Sequence, residues 1–218
     1  MNIQNFGEKR VKKPLHHAML PDDIRMLIVG QSGCGKTNLV VNLAMKYIKW
    51  SHLYVITNTP GQRIYDVLRS QKDVTFLSPG DISQDIFEEM PPLTLVIFDD
   101  FMLEKDQTFP SLIFSQGRHK KVNAIYISQK FTETNLVIRQ NANILVMFNI
   151  DKKSREGVHS MYASADMDVS DFKKIKLVDR DFLAILPMNC RSKKYIKNFG
   201  KYIRSEERRV GKECRSRW

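Results

Sequence analysis

Residues Gly30-Gln31-Ser32-Gly33-Cys34-Gly35-Lys36-Thr37 constrain this chain more than any other stretch, because their Gly-x4-Gly-Lys-Thr spacing joins two segments of opposite character. Before them, Met26, Leu27, Ile28 and Val29 form an unbroken apolar run, the mark of a strand buried on both faces. After them, apolar residues fall at Leu39, Val40, Leu43, Ala44, Tyr47 and Ile48, a helical stripe, with Asn38, Asn42, Lys46 and Lys49 on the other face. A glycine loop that opens a helix leaves several backbone N–H groups unpaired and aimed at one point, where the helix dipole favours negative charge. The pattern is that of a phosphate-binding loop. In such a loop Lys36 reaches the outer phosphates as a point charge, and the Thr37 hydroxyl is a ligand for Mg2+.

The rest of the chain alternates short apolar runs with helical stretches, as a parallel sheet covered on both faces requires. Strands are expected at 52–58, 74–78, 93–98, 123–129 and 143–148, and helices around 62–70, 82–89, 107–117 and 151–162. Past about residue 165 a polar helical segment leads to Phe182–Leu186, expected to be an edge strand. Residues 21–203 suffice for one domain with a sizeable core, behind a basic leader at 1–20. The segment 204–218, RSEERRVGKECRSRW, closely resembles the translated read-through of a common sequencing adapter and is set apart as a non-native tail. It holds six basic and three acidic residues, so without it the formal net charge of +11 becomes +8, still basic.

No apolar run approaches the roughly 20 residues that span a bilayer, and the leader lacks the apolar stretch of a signal peptide. A cytosolic protein without a membrane partner is expected. Outside the tail there are two cysteines, Cys34 and Cys190, which are not expected to pair, in keeping with a reducing compartment. His16-His17 is an isolated pair in the basic leader, expected to be solvated, and no Cys/His cluster has metal-ligand spacing. Cys34 lies where the field of a helix start lowers a thiol pKa, so it is expected to react with alkylating agents and to be protected by nucleotide.

Two further motifs follow the loop. Leu95-Val96-Ile97-Phe98-Asp99-Asp100 is an apolar strand ending in two carboxylates, a Walker B pattern. There Asp99 holds the water shell of Mg2+ next to Thr37, and Asp100 orients or deprotonates the attacking water; paired acids after a strand also start ordinary turns. Asn123-Ala124-Ile125-Tyr126-Ile127-Ser128-Gln129 is an apolar strand ending in an amide, and Gln129 is either a sensor of the terminal phosphate or a solvated strand end.

The ordered set of Gly30–Thr37, Phe98-Asp99-Asp100, Gly117-Arg118-His119, Ile127-Ser128-Gln129 and Ile138-Arg139-Gln140-Asn141-Ala142-Asn143 resembles the FtsK/HerA superfamily. Within it, the Asp-Asp ending and the Gly-Arg-His element are most similar to the genome-packaging ATPases of poxviruses, giant viruses and virophages. The resemblance spans residues 25–150. It implies an α/β, RecA-like (ASCE) P-loop NTPase with a mostly parallel central sheet and helices on both faces. It also implies ATP and Mg2+ as cofactors, and a homo-oligomeric ring, hexamer or pentamer, that pumps double-stranded DNA into a capsid. A capsid or portal protein becomes a partner, and the host cytoplasm, a viral factory or the virion becomes the location. By the same resemblance Arg118 is an arginine finger acting on a neighbouring subunit's nucleotide, with Arg139 as the competing candidate. Many superfamily members have Asp-Glu where this chain has Asp99-Asp100, one methylene shorter at the second position.

Candidate DNA contacts are Lys120-Lys121, Lys173-Lys174-Lys176, and the stretch 191–201, in which Lys193, Lys194, Lys197 and Lys201 alternate with Tyr195 and Phe199. That last stretch reads equally well as a terminal element whose aromatics pack on the core. The alternatives to a packaging translocase are an ATPase for protein assembly or secretion, a nucleotide-gated DNA-binding protein that hydrolyses little, and a kinase or GTPase. The sequence has no Asn-Lys-x-Asp guanine-reading element and no evident arginine-bearing lid.

Overall fold

The computed structural model describes residues 15–203, apart from 102, 103, 188 and 190. The apolar run before the glycine loop is strand β1 (Arg25–Val29), and the stripe after it is helix α1 (Lys36–Lys46). There follow β2 (His52–Thr57), a 3-10 turn at Arg63–Tyr65 running into α2 (Asp66–Arg69), β3 (Val74–Leu77), α3 (Gln84–Glu89), β4 (Thr94–Asp99) and α4 (Thr108–Lys120). The second half contains β5 (Asn123–Ser128), α5 (Leu136–Asn141), β6 (Ile144–Met147), α6 (Lys152–Val158) with a π-helical continuation at His159–Ala163, and α7 (Val169–Lys174). It closes with β7 (Leu183–Ile185), α8 (Arg191–Lys194), β8 (Tyr195–Lys197) and β9 (Lys201–Tyr202).

These strands form one nine-stranded sheet in the order β3-β2-β4-β5-β1-β6-β7-β8-β9. From β3 to β6 the pairing is parallel, and from β6 to β9 it is antiparallel. Because successive side chains point to opposite faces, each central strand feeds two cores. Leu27, Phe98 and Tyr126 pack with Phe114 of α4, Ile138 of α5 and Phe172 of α7. Ile28, Ile97 and Ile127 pack with Val40 and Leu43 of α1, Tyr65 and Leu68. Burying one such side chain is worth about 1.5–3 kcal/mol, so the doubly covered strands form the rigid frame on which the loops are mounted.

Two amides set where β1 begins. Asn123 Oδ1 accepts from Ile24 N and Asn143 Oδ1 accepts from Arg25 N, both at 2.8 Å, while Asn143 Nδ2 donates to the Asp23 carbonyl at 2.6 Å. They satisfy backbone groups at the sheet end that would otherwise be buried without a partner.

Two sequence expectations need correction, and two elements were not anticipated. The segment at Phe182–Leu186 is not an edge strand: β7 lies between β6 and β8, and the outer strand is β9. The alternating basic residues concealed β8, whose Tyr195 and Ile196 are buried, while Lys194 before it and Lys197 at its end are paired. Lys194 bridges to Asp166 Oδ2 at 2.9 Å with both side chains nearly inaccessible, and Tyr195 OH donates to the same oxygen at 2.9 Å. His16, expected to be solvated, is 5% exposed, and its Nδ1 accepts from Lys49 N at 3.1 Å; burial lowers its pKa. Finally, α5 was not anticipated, although Asn135 caps its start by accepting from Val137 N.

The Lys197–Asp181 bridge, at 2.6 Å, ties β8 to the turn before β7. The hydrogen bond from Lys197, then that from Asn198, holds the Asp181 carboxyl at about 2, below its ordinary 3.8. A depressed acid stabilises the fold above its unfolded pKa and loses that contribution as pH falls through the folded value. A carbon-13 titration of the Asp181 carboxyl is predicted to show a midpoint near 2. A midpoint at the ordinary aspartate value would mean that the bridge does not persist in solution.

Candidate functional site

The glycine loop between β1 and α1 is shaped by two left-handed residues, Gly33 with φ +76° and Gly35 with φ +103°, a conformation that L side chains rarely adopt. Gly30 is required for a different reason. A Cβ there would lie 2.7 Å from both Cys34 Sγ and Phe148 Cβ. Lys36 is only 8% exposed, and its Nζ donates to the carbonyls of Gly30 and Gln31, both at 2.8 Å. The ammonium therefore closes over the start of its own loop, held by carbonyl dipoles that anionic oxygens can outcompete.

Asp99 faces this loop because of strand parity. It shares the side of β4 taken by Leu95 and Ile97, which is the α1 side. Thr37 Oγ1 donates to Asp99 Oδ2 at 3.0 Å, and the hydroxyl of Tyr65 donates to the same oxygen. Tyr65 was not singled out in the sequence, since a single aromatic in a short polar helix carries no motif. Fully buried, it is the bridge between the acidic strand and the β2–β3 connection. Burial raises the Asp99 pKa and the bonds from Tyr65 and Thr37 oppose that rise; the Tyr65 hydroxyl is itself pushed up, by burial first and then by Asp99. One hydroxyl and one carboxylate thus meet at the mouth of the loop, a hard-oxygen pair suited to Mg2+ shared with phosphate oxygens. Among the described residues no group of three or more His, Cys, Asp or Glu could hold a metal ion.

The other candidate residues fall in two places. Asp100 follows β4 half-buried with φ +56°, where the chain turns off the sheet. Gln129 is exposed immediately after β5, next to the loop: Ser128 pairs with Val29 and its carbonyl accepts from Gly30 N at 3.2 Å. Asp100 and Gln129 thus share the loop's end of the sheet. Arg118 does not. It is exposed in the last turn of α4, near Arg25 at the start of β1, so the length of β1 separates it from its own loop. Arg139 is half-buried, with its guanidinium 5.1 Å above the Phe131 ring, and its carbonyl accepts from the Tyr162 hydroxyl. That packing gives Arg139 a structural partner.

The expected reactive thiol at Cys34 is corrected by its surroundings. Burial pushes its pKa up, against the opposing pull of Lys36, so the helix-start field does not prevail. Cys190 and the tail 204–218 lie outside the described residues. Of the basic candidates, Lys120 bridges to Glu88 over the Phe87 ring, Lys173 to Glu156, Lys174 to Asp171, Lys194 to Asp166 and Lys197 to Asp181. Lys121, Lys176, Lys193 and Lys201 are exposed. No described helix is long and apolar enough to cross a membrane.

With this geometry, the structure is similar to the genome packaging NTPase B204 of Sulfolobus turreted icosahedral virus 2 in complex with ATP-gammaS. The identity is 17% and the TM-score 0.55, over 82% of this chain and 97% of that one. The DNA-packaging ATPase B204 of Sulfolobus turreted icosahedral virus gives 15% and 0.56, over 81% and 97%. The pCW3 conjugation coupling protein TcpA gives 12% and 0.55, over 81% of this chain and 60% of TcpA. No protein-family model and no curated protein matches the chain. At these identities the likeness establishes a shared fold, that of nucleotide-binding P-loop ATPases.

The buried carboxylate yields opposite predictions for two variants in thermal unfolding without nucleotide. Tyr65→Phe removes a hydrogen bond to a charged group, worth about 1.5–3 kcal/mol, and should lower Tm by roughly 3–10 °C. Asp99→Asn removes the buried charge while keeping an acceptor, and should leave Tm unchanged or raise it. A neutral Tyr65→Phe would show that the bond contributes nothing.

Proposed function

We propose that the chain is an ATP-driven double-stranded DNA translocase of the FtsK/HerA superfamily, of the kind that loads a viral genome into a capsid as a homo-oligomeric ring. One observation carries this reading. Lys36, Thr37 and Asp99 converge on a single loop mouth, in a sheet where the strand ending at Gln129 lies between the loop strand and the acidic strand. That strand order supports a RecA-like reading, in which Gln129 is the amide beside the terminal phosphate. The genome-packaging and DNA-packaging ATPases among the similar structures support a DNA-handling use of this loop.

In this reading the loop N–H groups hold the phosphates of ATP, and Lys36 exchanges the carbonyls of Gly30 and Gln31 for phosphate oxygens. Thr37 and Asp99 would hold Mg2+, which when bound neutralises charge on the outer phosphates. Tyr65 fixes the Asp99 carboxylate so that it need not reorganise. Asp100 orients or deprotonates the attacking water, and Gln129 senses the terminal phosphate. Arg118, on the end of the sheet away from its own loop, serves only a neighbouring subunit, where such a residue is worth about 10³–10⁵ in rate. DNA is gripped through its phosphates without base reading, with Lys121, Lys176, Lys193 and Lys201 as the exposed candidates.

The test is steady-state ATP hydrolysis at low salt, with and without long double-stranded DNA and with Lys36→Ala as the blank. Several-fold stimulation that disappears as salt rises is expected, as is a loss beyond simple dilution when Arg118→Ala is mixed with wild type. Hydrolysis indifferent to DNA would replace this reading with an ATPase for protein assembly or secretion, and none above the blank with a nucleotide-gated binding protein.

A further inference from the structure

A groove of about 530 Å3 opens beside the glycine loop and runs along α1 on the side away from Asp99. Cys34 and Gly35 belong to both the loop and the groove, and Leu39 of α1 contributes to its floor. Its far wall comes from the C-terminal strands: Phe182 stands between Phe148, at 5.4 Å, and Phe199, at 5.2 Å between ring centroids. Arg180 lies across the entrance, its Cγ 3.9 Å from where a Cβ on Gly35 would be. Among the described residues no salt bridge involves Arg180.

The loop leaves a nucleotide few directions. With the phosphates over the loop N–H groups, the side toward β4 is filled by Tyr65 and the buried carboxylate of Asp99. The other side is the groove. A second, independent observation concerns Phe199. The turn between β8 and β9 is closed by Gly200 N donating to the Lys197 carbonyl at 3.0 Å, with Asn198 at φ +53° and Phe199 at φ +51° as its central residues. A turn with two such residues favours Asn followed by Gly, and a bulky aromatic at the second position is strained. The bulky residue held in this conformation is the one whose ring forms the groove wall, a pattern seen where backbone strain serves a ligand.

We propose that this groove takes the nucleoside part of the nucleotide, holding the base by stacking against Phe199 and Phe182 with Arg180 closing over the sugar and first phosphate, and that it discriminates weakly between purines. The inference rests on the nucleotide-binding reading given above. Weak discrimination follows from the chemistry of the lining. Among the described residues no carboxylate lines the groove to accept from the N–H groups of guanine. The Asn198 amide is already engaged with Phe182 N and Asp181, and Asn42 is turned onto Asn38. Stacking tolerates any base, since every base has a π-face.

Calorimetric titration with the magnesium forms of ATPγS and GTPγS, and with tripolyphosphate as a probe of the loop alone, tests this. Wild type should bind the two nucleotides within about ten-fold of each other. Phe199→Gly relieves the left-handed strain and keeps the turn, so it should fold normally, yet bind both nucleotides about ten-fold more weakly and tripolyphosphate as before. Arg180→Ala should weaken nucleotides more than tripolyphosphate. Unchanged nucleotide affinity in Phe199→Gly, or a preference above about 100-fold for one purine, would overturn the groove assignment while leaving the nucleotide site intact. Failure of the wild type to bind tripolyphosphate or nucleotide would overturn both.

Discussion

The structure depends on a single carboxylate held in the interior. Asp99 is 3% exposed at the end of β4, where burial disfavours its charge, and it is kept in place by hydroxyls from two other elements, Thr37 of α1 and Tyr65 of the β2–β3 connection. Those bonds fix the first turn of α1 against the acidic strand and so fix the direction in which the glycine loop opens. A buried charge of this kind opposes stability, and sites that need one retain it for function. The doubly covered sheet supplies the rigidity that offsets it: the flanking Ile28, Ile97 and Ile127 are essentially inaccessible.

Much of this was legible in the residues. The apolar runs at Met26–Val29 and Leu95–Phe98 read as buried strands because they are short and bounded by loop residues, and the glycine spacing read as a loop because an amphipathic stripe follows it. What was hidden has a physical cause in each case. Tyr65 acts through a contact to a residue 34 positions away, which no local pattern encodes. Strand β8 was masked because Lys194 just before it and Lys197 at its end neutralise Asp166 and Asp181, so that a largely buried strand reads as a basic surface. Cys34 was misjudged because the field of a helix start was weighed without the burial that desolvates the thiol.

The antiparallel C-terminal strands give this fold its individual character. The parallel strands from β3 to β6 and the loop they carry are general equipment for handling phosphates. By contrast, β7 to β9 place Phe182, Phe199 and Arg180 beside that loop, and the buried Lys194–Asp166 bridge anchors them to the helical layer. Of the two readings that the segment 191–201 allowed equally, a strip for a nucleic acid backbone and a terminal element whose aromatics pack on the core, the burial of Tyr195 favours the second, with Lys193 and Lys201 left at the surface. Arg118 lies at the opposite end of the sheet, in the last turn of α4 and near Arg25 at the start of β1.

The central claim is that Thr37 and Asp99 form a metal-dependent nucleotide site, and the most direct measurement is Mn2+ binding read by electron paramagnetic resonance with saturating ATPγS. The account predicts that wild type binds Mn2+ only when the nucleotide is present, and that Asp99→Asn weakens this binding by ten-fold or more while remaining folded. Equal Mn2+ affinity in wild type and Asp99→Asn, or Mn2+ binding that is indifferent to ATPγS, would contradict it.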